Sequence, residues 1–261
     1  YEISLGLVGS EMCIRDSFYL HHRNETRGIG GIFFDYKKNN WKKDFKFVFR
    51  NNRLLTLQEI EELFVRSDGD YVFARWGRPI APVAFGVLDE TLSLINNAIK
   101  AVCLASNHSV EDLDPEFGSN LMFFFCKDWS ELYGVPDLGQ MIPNLKIVLE
   151  RLEAEQANQY RVFRFDETGA IKACFVLLRM DEDLQKLNAE SFALLQVVKI
   201  MLLWSDLVFQ NQSPLVVLDT GVITVRPEIM AVLKAAYDPI MPPQSNDSSH
   251  AMRIEARIRV C

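Results

Sequence analysis

The clearest pattern of apolar positions along the chain lies between residues 160 and 180, where two strands are predicted. Tyr160 to Phe165 and Ile171 to Met180 have the composition of β-strands, and the sequence Asp-Glu-Thr-Gly at 166–169 separates them. Glycine accepts the positive φ that a tight turn needs, so this segment predicts an antiparallel hairpin. The second strand is apolar almost throughout, which predicts a central position in the sheet.

Helical signals recur on both sides of this hairpin. Apolar residues return every three or four positions between Asp89 and Ala105, the spacing of an amphipathic helix. Thr56 and Glu59 form a capping-box pattern, and Pro227 suits a first helical position. The predicted helices are Thr56 to Phe64, Asp89 to Ala105, Leu145 to Gln156, Glu190 to Phe209 and Pro227 to Tyr237.

The remaining apolar runs are short and predict strands. Pro79 and Pro82 flank one of them, which favours an edge position because proline donates no ladder hydrogen bond. These strands are Val72 to Trp76, Val83 to Val87, Leu121 to Cys126, and a second hairpin of Leu215 to Leu218 with Val222 to Val225. Helices and strands mix irregularly, so the pattern predicts an α+β fold over residues 54–240, with helices packed on a mixed, partly antiparallel sheet. Residues 241–261 are predicted to be a polar linker and a poorly ordered tail.

Composition and charge narrow the class of protein. The chain has 261 residues, 49% of them hydrophobic, and a net charge of −7, which argues against general nucleic-acid binding. The most apolar stretch, Ala193 to Trp204, contains Lys199 and is too short to cross a bilayer. The five cysteines form no C-x-x-C pair, so we expect buried free thiols at Cys103, Cys126 and Cys174 and a cytoplasmic setting.

Charge also divides the chain. Residues 1–53 hold 10 Lys/Arg and 6 Asp/Glu, a balance of +4, and the other 18 basic and 29 acidic residues give −11. We therefore predict a join near 49–53, with a loosely attached segment before it. Residues 4–17 resemble translated sequencing adapter, and we interpret 1–17 as an artefact outside the fold.

Residues 18–35 concentrate chemically useful side chains. His22, Arg23, Glu25 and Arg27 place imidazole, guanidinium and carboxylate groups within six positions, and the glycine-rich turn Gly-Ile-Gly-Gly at 28–31 follows. Arginine binds both oxygens of a carboxylate at once, so this segment suits a ligand with several carboxylates. The plainer alternative is an Arg–Glu network that only holds the turn in place.

This run resembles the signature of oxygen-dependent coproporphyrinogen III oxidase over residues 18–48. The resemblance implies oxidative decarboxylation of coproporphyrinogen III to protoporphyrinogen IX in haem biosynthesis, with molecular oxygen and a divalent metal. It assigns His22 to metal, and Arg23, Arg27 and Asp35 to the tetrapyrrole substrate. Tyr36 replaces the second aspartate of the family pattern.

The family's companion histidines are missing around this signature, since the chain holds only four histidines. Catalysis needs all the catalytic groups held in the correct geometry, and the companion histidines are part of that set. We therefore expect no oxidase activity and no cofactor for this chain. Two hypotheses follow: a fragment (18–53) of the oxidase, or an α+β protein of regulatory or partner-binding role with a chimeric N-terminus. Under the first hypothesis the partner is a small-molecule tetrapyrrole. Under either hypothesis we expect no nucleic-acid or membrane partner, and the sequence does not assign an oligomeric state.

Other polar residues have plainer interpretations. We expect His108 to be a solvated loop residue and Asp181 to Asp183 to be a charged helix start. The Arg75-Trp-Gly-Arg78 cluster suits an anion or acidic partner, but we favour a surface cation–π arrangement there.

Overall fold

A computed structural model describes residues 54–218 and 221–260 in full and the backbone of 11–16, 32–35 and 40–43. The strands are β1 (Glu11–Asp16), β2 (Ile32–Asp35), β3 (Asn40–Lys43), β4 (Phe73–Ala74), β5 (Pro82–Phe85), β6 (Leu121–Cys126), β7 (Gln159–Phe165), β8 (Ile171–Arg179), β9 (Leu215–Val217), β10 (Ile223–Val225) and β11 (Gln244–Ser245). The helices are α1 (Leu57–Glu62), α2 (Asp89–Ser106), α3 (Leu138–Met141), α4 (Leu145–Ala154), α5 (Glu182–Gln185), α6 (Ala189–Met201), α7 (Pro227–Ala236) and α8 (Ser249–Val260), with a 3₁₀ helix at Trp129–Gly134.

The main sheet has five strands in the order β1-β7-β8-β6-β5. Strand β8 is central, as its apolar sequence predicts, and it pairs antiparallel with β7 and parallel with β6. The predicted hairpin turn forms: Gly169 has φ +79°, and the Asp166 carboxylate accepts from the backbone N–H of Thr168 at 2.8 Å. The proline-flanked strand β5 lies at the edge. The α+β class with a mixed sheet is thus confirmed.

The two faces of this sheet carry separate cores because alternate side chains of a strand point to opposite faces. Val176 packs with helices α2, α6 and α7 in the larger core, whereas Phe175 and Leu177 pack with the 3₁₀ helix, α3 and α4 in the smaller one. Among the residues whose side chains are described, the two cores together extend from Ile60 to Ile254. The three predicted free thiols, at Cys103, Cys126 and Cys174, are buried within them, as expected.

Helix α1 begins at the predicted capping box. The Thr56 hydroxyl oxygen accepts from the Glu59 backbone N–H at 3.3 Å, and the Glu59 carboxylate accepts from the Thr56 N–H at 2.9 Å. These two bonds satisfy backbone donors that a helix start leaves free. Ile60, one residue further on, is fully buried in the larger core.

The predicted helix from 190 to 209 is too long, because α6 ends at Met201. Leu202 turns to an extended conformation, and the Leu203 N–H donates to the Ala74 carbonyl at 2.9 Å. The Ser205 N–H likewise donates to the Leu63 carbonyl at 2.8 Å. The apolar run continues past Met201, but its backbone pairs with the segment around β4 instead of with the helix.

The prediction of a polar linker and disordered tail at 241–261 is wrong for residues 244–260. Strand β11 pairs antiparallel with β4, and α8 packs against α1 and α7. Three residues of α8, His250, Ala251 and Ile254, are buried. The helix was missed because apolar and charged residues nearly alternate from Met252 to Val260, without the three-to-four-residue spacing of an amphipathic helix.

The described part of the N-terminal segment consists of three strands. Strand β1 pairs antiparallel along β7, from Glu11 opposite Arg164 to Asp16 opposite Gln159. The β2–β3 hairpin lies beside α2 and β10. Residues 11–16, which the sequence interpretation left outside the fold, therefore form an edge strand of the main sheet. Within the described residues, none of the helices has the length and apolar character that a membrane span requires.

Candidate functional site

The residues of the oxidase-like signature are only partly within the described structure. His22, Arg23 and Arg27 lie outside the described residues. The backbone of Asp35 ends β2 and pairs with Asn40 of β3. The expected strand at 32–35 therefore forms, and the assignment of His22, Arg23, Arg27 and Asp35 to metal and substrate stays a prediction.

His108 is not the solvated loop residue that the sequence suggested. Its ring lies 4.7 Å, between centroids, from the ring of buried Tyr237. Its Nε2 atom is buried without a hydrogen-bond partner. Burial, and secondarily the charge of Arg75, lower the pKa of His108 to about 4. This imidazole is neutral near pH 7 and serves as a packing group.

The Arg75–Arg78 cluster forms a cation–π contact, but not the surface arrangement that we favoured. The Arg75 guanidinium lies 5.6 Å from the centroid of Tyr237 and donates to the Met241 carbonyl at 3.1 Å. Trp76 is fully buried, and its indole donates to the Ile200 carbonyl at 2.8 Å. The cluster was misjudged because a single tryptophan between two arginines does not reveal which side faces the core.

Arg78 is neutralised by neighbouring carboxylates. The Arg78 guanidinium lies 2.8 Å from one carboxylate oxygen of Glu116. The other oxygen of the same carboxylate lies 3.0 Å from the Lys172 ammonium group. Asp114 adds a longer contact to Arg78 at 3.5 Å. This guanidinium is therefore engaged within the chain, and the cluster does not present two free arginines to an anionic ligand.

The acidic run at 181–183 is confirmed as a helix start. The Asp181 carboxylate accepts from the backbone N–H groups of Asp183 and Leu184 at 3.1 and 2.9 Å. A carboxylate at this position satisfies free backbone donors and interacts favourably with the helix dipole. The run therefore has a structural role.

A buried polar network between β7 and α6 was not predicted as a unit. Arg161 is fully buried in β7, and its guanidinium donates to the side-chain oxygens of Gln196 and, at 3.3 Å, of Gln159. The Gln196 amide closes the network by donating to Gln159 at 2.9 Å. Two sequence features could have indicated this network. Arg161 interrupts an apolar strand, and Gln196 interrupts an apolar helix. The network ties the sheet to α6.

His250 has a different environment from His108. Its Nδ1 atom lies 3.0 Å from the hydroxyl of Tyr71, and its ring centroid lies 4.1 Å from that of Phe73, with the rings tilted by 37°. The two described histidines thus contact different aromatic partners. Across residues 54–218 and 221–260, there is no group of three His, Cys, Asp or Glu residues that could hold a metal ion.

Comparison with known proteins supports the resemblance carried by the N-terminal segment. A family model described as coproporphyrinogen III oxidase matches residues 11–66. The match is wider than the predicted 18–48: it begins within β1 and passes the predicted join near 49–53 to include α1.

Individual relatives carry the same name. An oxygen-dependent coproporphyrinogen-III oxidase of Dictyostelium discoideum is 31% identical over 136 residues, covering 43% of this chain and 38% of that protein. The oxidase of Rickettsia rickettsii (strain Sheila Smith) is 61% identical over 32 residues, or 12% of each chain, and that of Rickettsia bellii is 56% identical over 32 residues. This chain therefore spans well under half the length of these relatives. No solved structure matches. The chain is similar to oxygen-dependent coproporphyrinogen-III oxidase over a segment.

Proposed function

We propose that this chain carries a fragment of an oxygen-dependent coproporphyrinogen-III oxidase that recognises tetrapyrrole carboxylates but does not complete the oxidative decarboxylation. The observation that carries the proposal is the placement of the later histidines. His108 packs on Tyr237 and His250 contacts Tyr71, and each has a pKa lowered to about 4. Neither belongs to a described cluster of metal ligands.

The proposed substrate contacts lie in the signature. Arg23 and Arg27 would bind propionate carboxylates, because the guanidinium fork matches two carboxylate oxygens. Asp35 would accept hydrogen bonds from the pyrrole N–H groups, and His22 would bind a divalent metal. The described histidines do not fit as its companions, so we derive no metal-dependent step and expect no bound cofactor.

The catalytic half of the proposal is tested by turnover. The full chain would be incubated with coproporphyrinogen III in air, and the porphyrins separated after oxidation. We expect no protoporphyrin above a protein-free control. A rate above that control that is lost in His22→Ala would overturn the proposal of inactivity and support an active oxidase.

The recognition half is tested with coproporphyrin III as a stable probe, titrated by tryptophan fluorescence quenching. Loss of a charge-assisted hydrogen bond costs about 1.5–3 kcal/mol, so Arg23→Ala and Arg27→Ala should each weaken binding about 10-fold or more. Arg66→Ala is the matched control, because it removes a cation outside the signature. Equal affinity for wild type and both signature variants would contradict tetrapyrrole recognition by this segment.

A second proposal is that the main domain has a function of its own, as a partner-binding or regulatory module in the cytoplasm joined to a foreign N-terminal piece. It is supported by the packing of two cores among the described residues after position 53. Sequencing the source DNA across codons 17 and 50 tests the join. An uninterrupted gene in an independent isolate would contradict it.

A further inference from the structure

The second residue of α8 is a buried histidine held by two aromatic residues. His250 is 2% exposed. The hydroxyl of Tyr71 lies 3.0 Å from its Nδ1, and the Phe73 ring lies 4.1 Å from its own, between centroids. The other ring nitrogen, Nε2, is buried without a hydrogen-bond partner. The site therefore offers the imidazole one polar contact and otherwise apolar packing.

Such a site favours the neutral ring. An imidazolium has two N–H donors, and here one of them would face no acceptor, at the cost of burying an unsatisfied charged group. Burial and then the charge of Arg253 lower the pKa of His250 to about 4, against a smaller opposing effect of Asp247. Glu61 of α1 faces the same tyrosine.

Asp247 does not titrate in the same range. Hydrogen bonds from Ser249 hold the pKa of its carboxyl below the usual value, and its Oδ1 accepts from the Ser249 N–H at 2.9 Å. It therefore stays ionised while a released His250 takes up a proton. The pH response of this segment between 6.5 and 4 is assigned to the imidazole.

His250 lies at the centre of the contacts that fix the C-terminal segment. Strand β11 pairs with β4, whose Phe73 ring contacts the imidazole. Helix α8 buries Ala251 and Ile254 against the larger core. Near its end, Arg257 lies 3.6 Å from Asp238, on a partly exposed surface where an ion pair contributes little. Docking of the segment thus depends on its buried face, where His250 is the titratable group.

We propose that residues 244–260 form a pH-sensitive C-terminal arm, docked while His250 is neutral and released from Tyr71 and Phe73 when His250 takes up a proton. The direction of the pH effect on docking follows from where each state binds a proton. The released arm binds a proton below the ordinary histidine pKa of about 6.5, whereas the docked arm does not until a lower pH. Docking is therefore strongest above pH 6.5 and weakens as pH falls.

Hydrogen exchange of the full chain, read by peptide and corrected for intrinsic rates, tests this proposal. With pKa values of about 6.5 released and about 4 docked, the opening constant of α8 should rise about 30-fold between pH 7.5 and 5.0. The central strand β8 exchanges through global unfolding, which also exposes His108, so its protection falls as well but should stay well above that of α8 at both pH values. Unchanged protection of α8, or protection of α8 equal to that of β8 at both pH values, would overturn the proposal.

Two variants test whether the imidazole, and not another group of the segment, causes the pH response. His250→Asn keeps a polar atom near the position of Nδ1, and His250→Phe keeps an aromatic ring; neither takes a charge. Both should abolish the pH response of α8 exchange, and a full response in either variant would contradict the proposal. His108→Gln is the matched control, since it removes the other described histidine with a lowered pKa and should leave the α8 response intact. The wild-type measurement remains decisive if a variant fails to fold.

Discussion

The indole Nε1 of Trp76 donates a hydrogen bond to the carbonyl oxygen of Ile200 at 2.8 Å. Trp76 is fully buried, and Ile200 lies in the last turn of α6. The bond satisfies a carbonyl that the helix end leaves without an intrahelical partner. It connects the chain after β4 to α6, next to the point where the helix stops.

Trp76→Phe should therefore destabilise the protein by about 2–4 kcal/mol, because it leaves a buried carbonyl unsatisfied and creates a cavity. Urea unfolding followed by circular dichroism measures the change. Tyr133→Phe is the control: Tyr133 is half exposed, so its substitution should stay within about 0.5 kcal/mol. Equal stability of the two variants would contradict the role given to Trp76.

The capping box of α1 gives a second prediction. Thr56→Ala removes the acceptor for the Glu59 N–H and should cost about 1 kcal/mol of unfolding free energy. The same urea experiment measures it. Gln58→Ala is a suitable control, because Gln58 is exposed on the same helix and lies outside the cap. A loss of the same size in both variants would contradict a specific capping role for Thr56.

The hairpin turn gives a third prediction. Gly169 has φ +79°, and a Cβ built there would lie 2.8 Å from Cγ of Gln244. Gly169→Ala should destabilise by about 1–2 kcal/mol through backbone strain and crowding. Gly139, in α3, has no neighbour within 4 Å of its Cβ position, so Gly139→Ala should be neutral or stabilising by up to about 1 kcal/mol. Opposite signs for the two variants are the expected result.

The pH dependence of stability gives a fourth prediction. The folded pKa of His108 is about 4, below its ordinary value of about 6.5, so the unfolded chain binds a proton that the folded chain refuses. This contribution to stability is intact above pH 6.5 and lost as pH falls toward 4, amounting to about 3 kcal/mol at most. Unfolding free energies at pH 7.5 and 5.0 should differ less in His108→Gln than in wild type. An identical pH dependence would contradict the burial of His108.

Local patterns gave reliable predictions where one residue type determines the local backbone conformation. The hairpin around Gly169 and the cap at Thr56 follow from conformational freedom and hydrogen bonding that act within four residues. The central position of β8 follows from its continuous apolar run, which only burial on both faces explains. These features hold in the structure because tertiary packing agrees with the local preference.

Features that depend on distant partners were not predictable from the sequence. The end of α6 at Met201 depends on backbone bonds to Ala74 and Leu63, which no periodicity in the apolar run reveals. The burial of His250 depends on Tyr71 and Phe73, nearly 180 residues away in the chain. The near alternation of apolar and charged residues in α8 hid a helix whose attachment depends on distant packing partners. For the candidate site, the sequence predicts which residue types are present and which family they resemble. It does not predict where their side chains lie.

The central prediction is that residues 54–261 fold cooperatively without residues 1–53. Removing residues 1–53 takes β1 from β7 and leaves β7 as an edge strand, which should lower stability without abolishing the fold. The most direct test is calorimetric unfolding of residues 54–261 alone, together with its near-ultraviolet circular dichroism. The account predicts a single cooperative transition and a native aromatic spectrum. A molten state, with secondary structure but no cooperative transition, beside a cooperative full chain would contradict it.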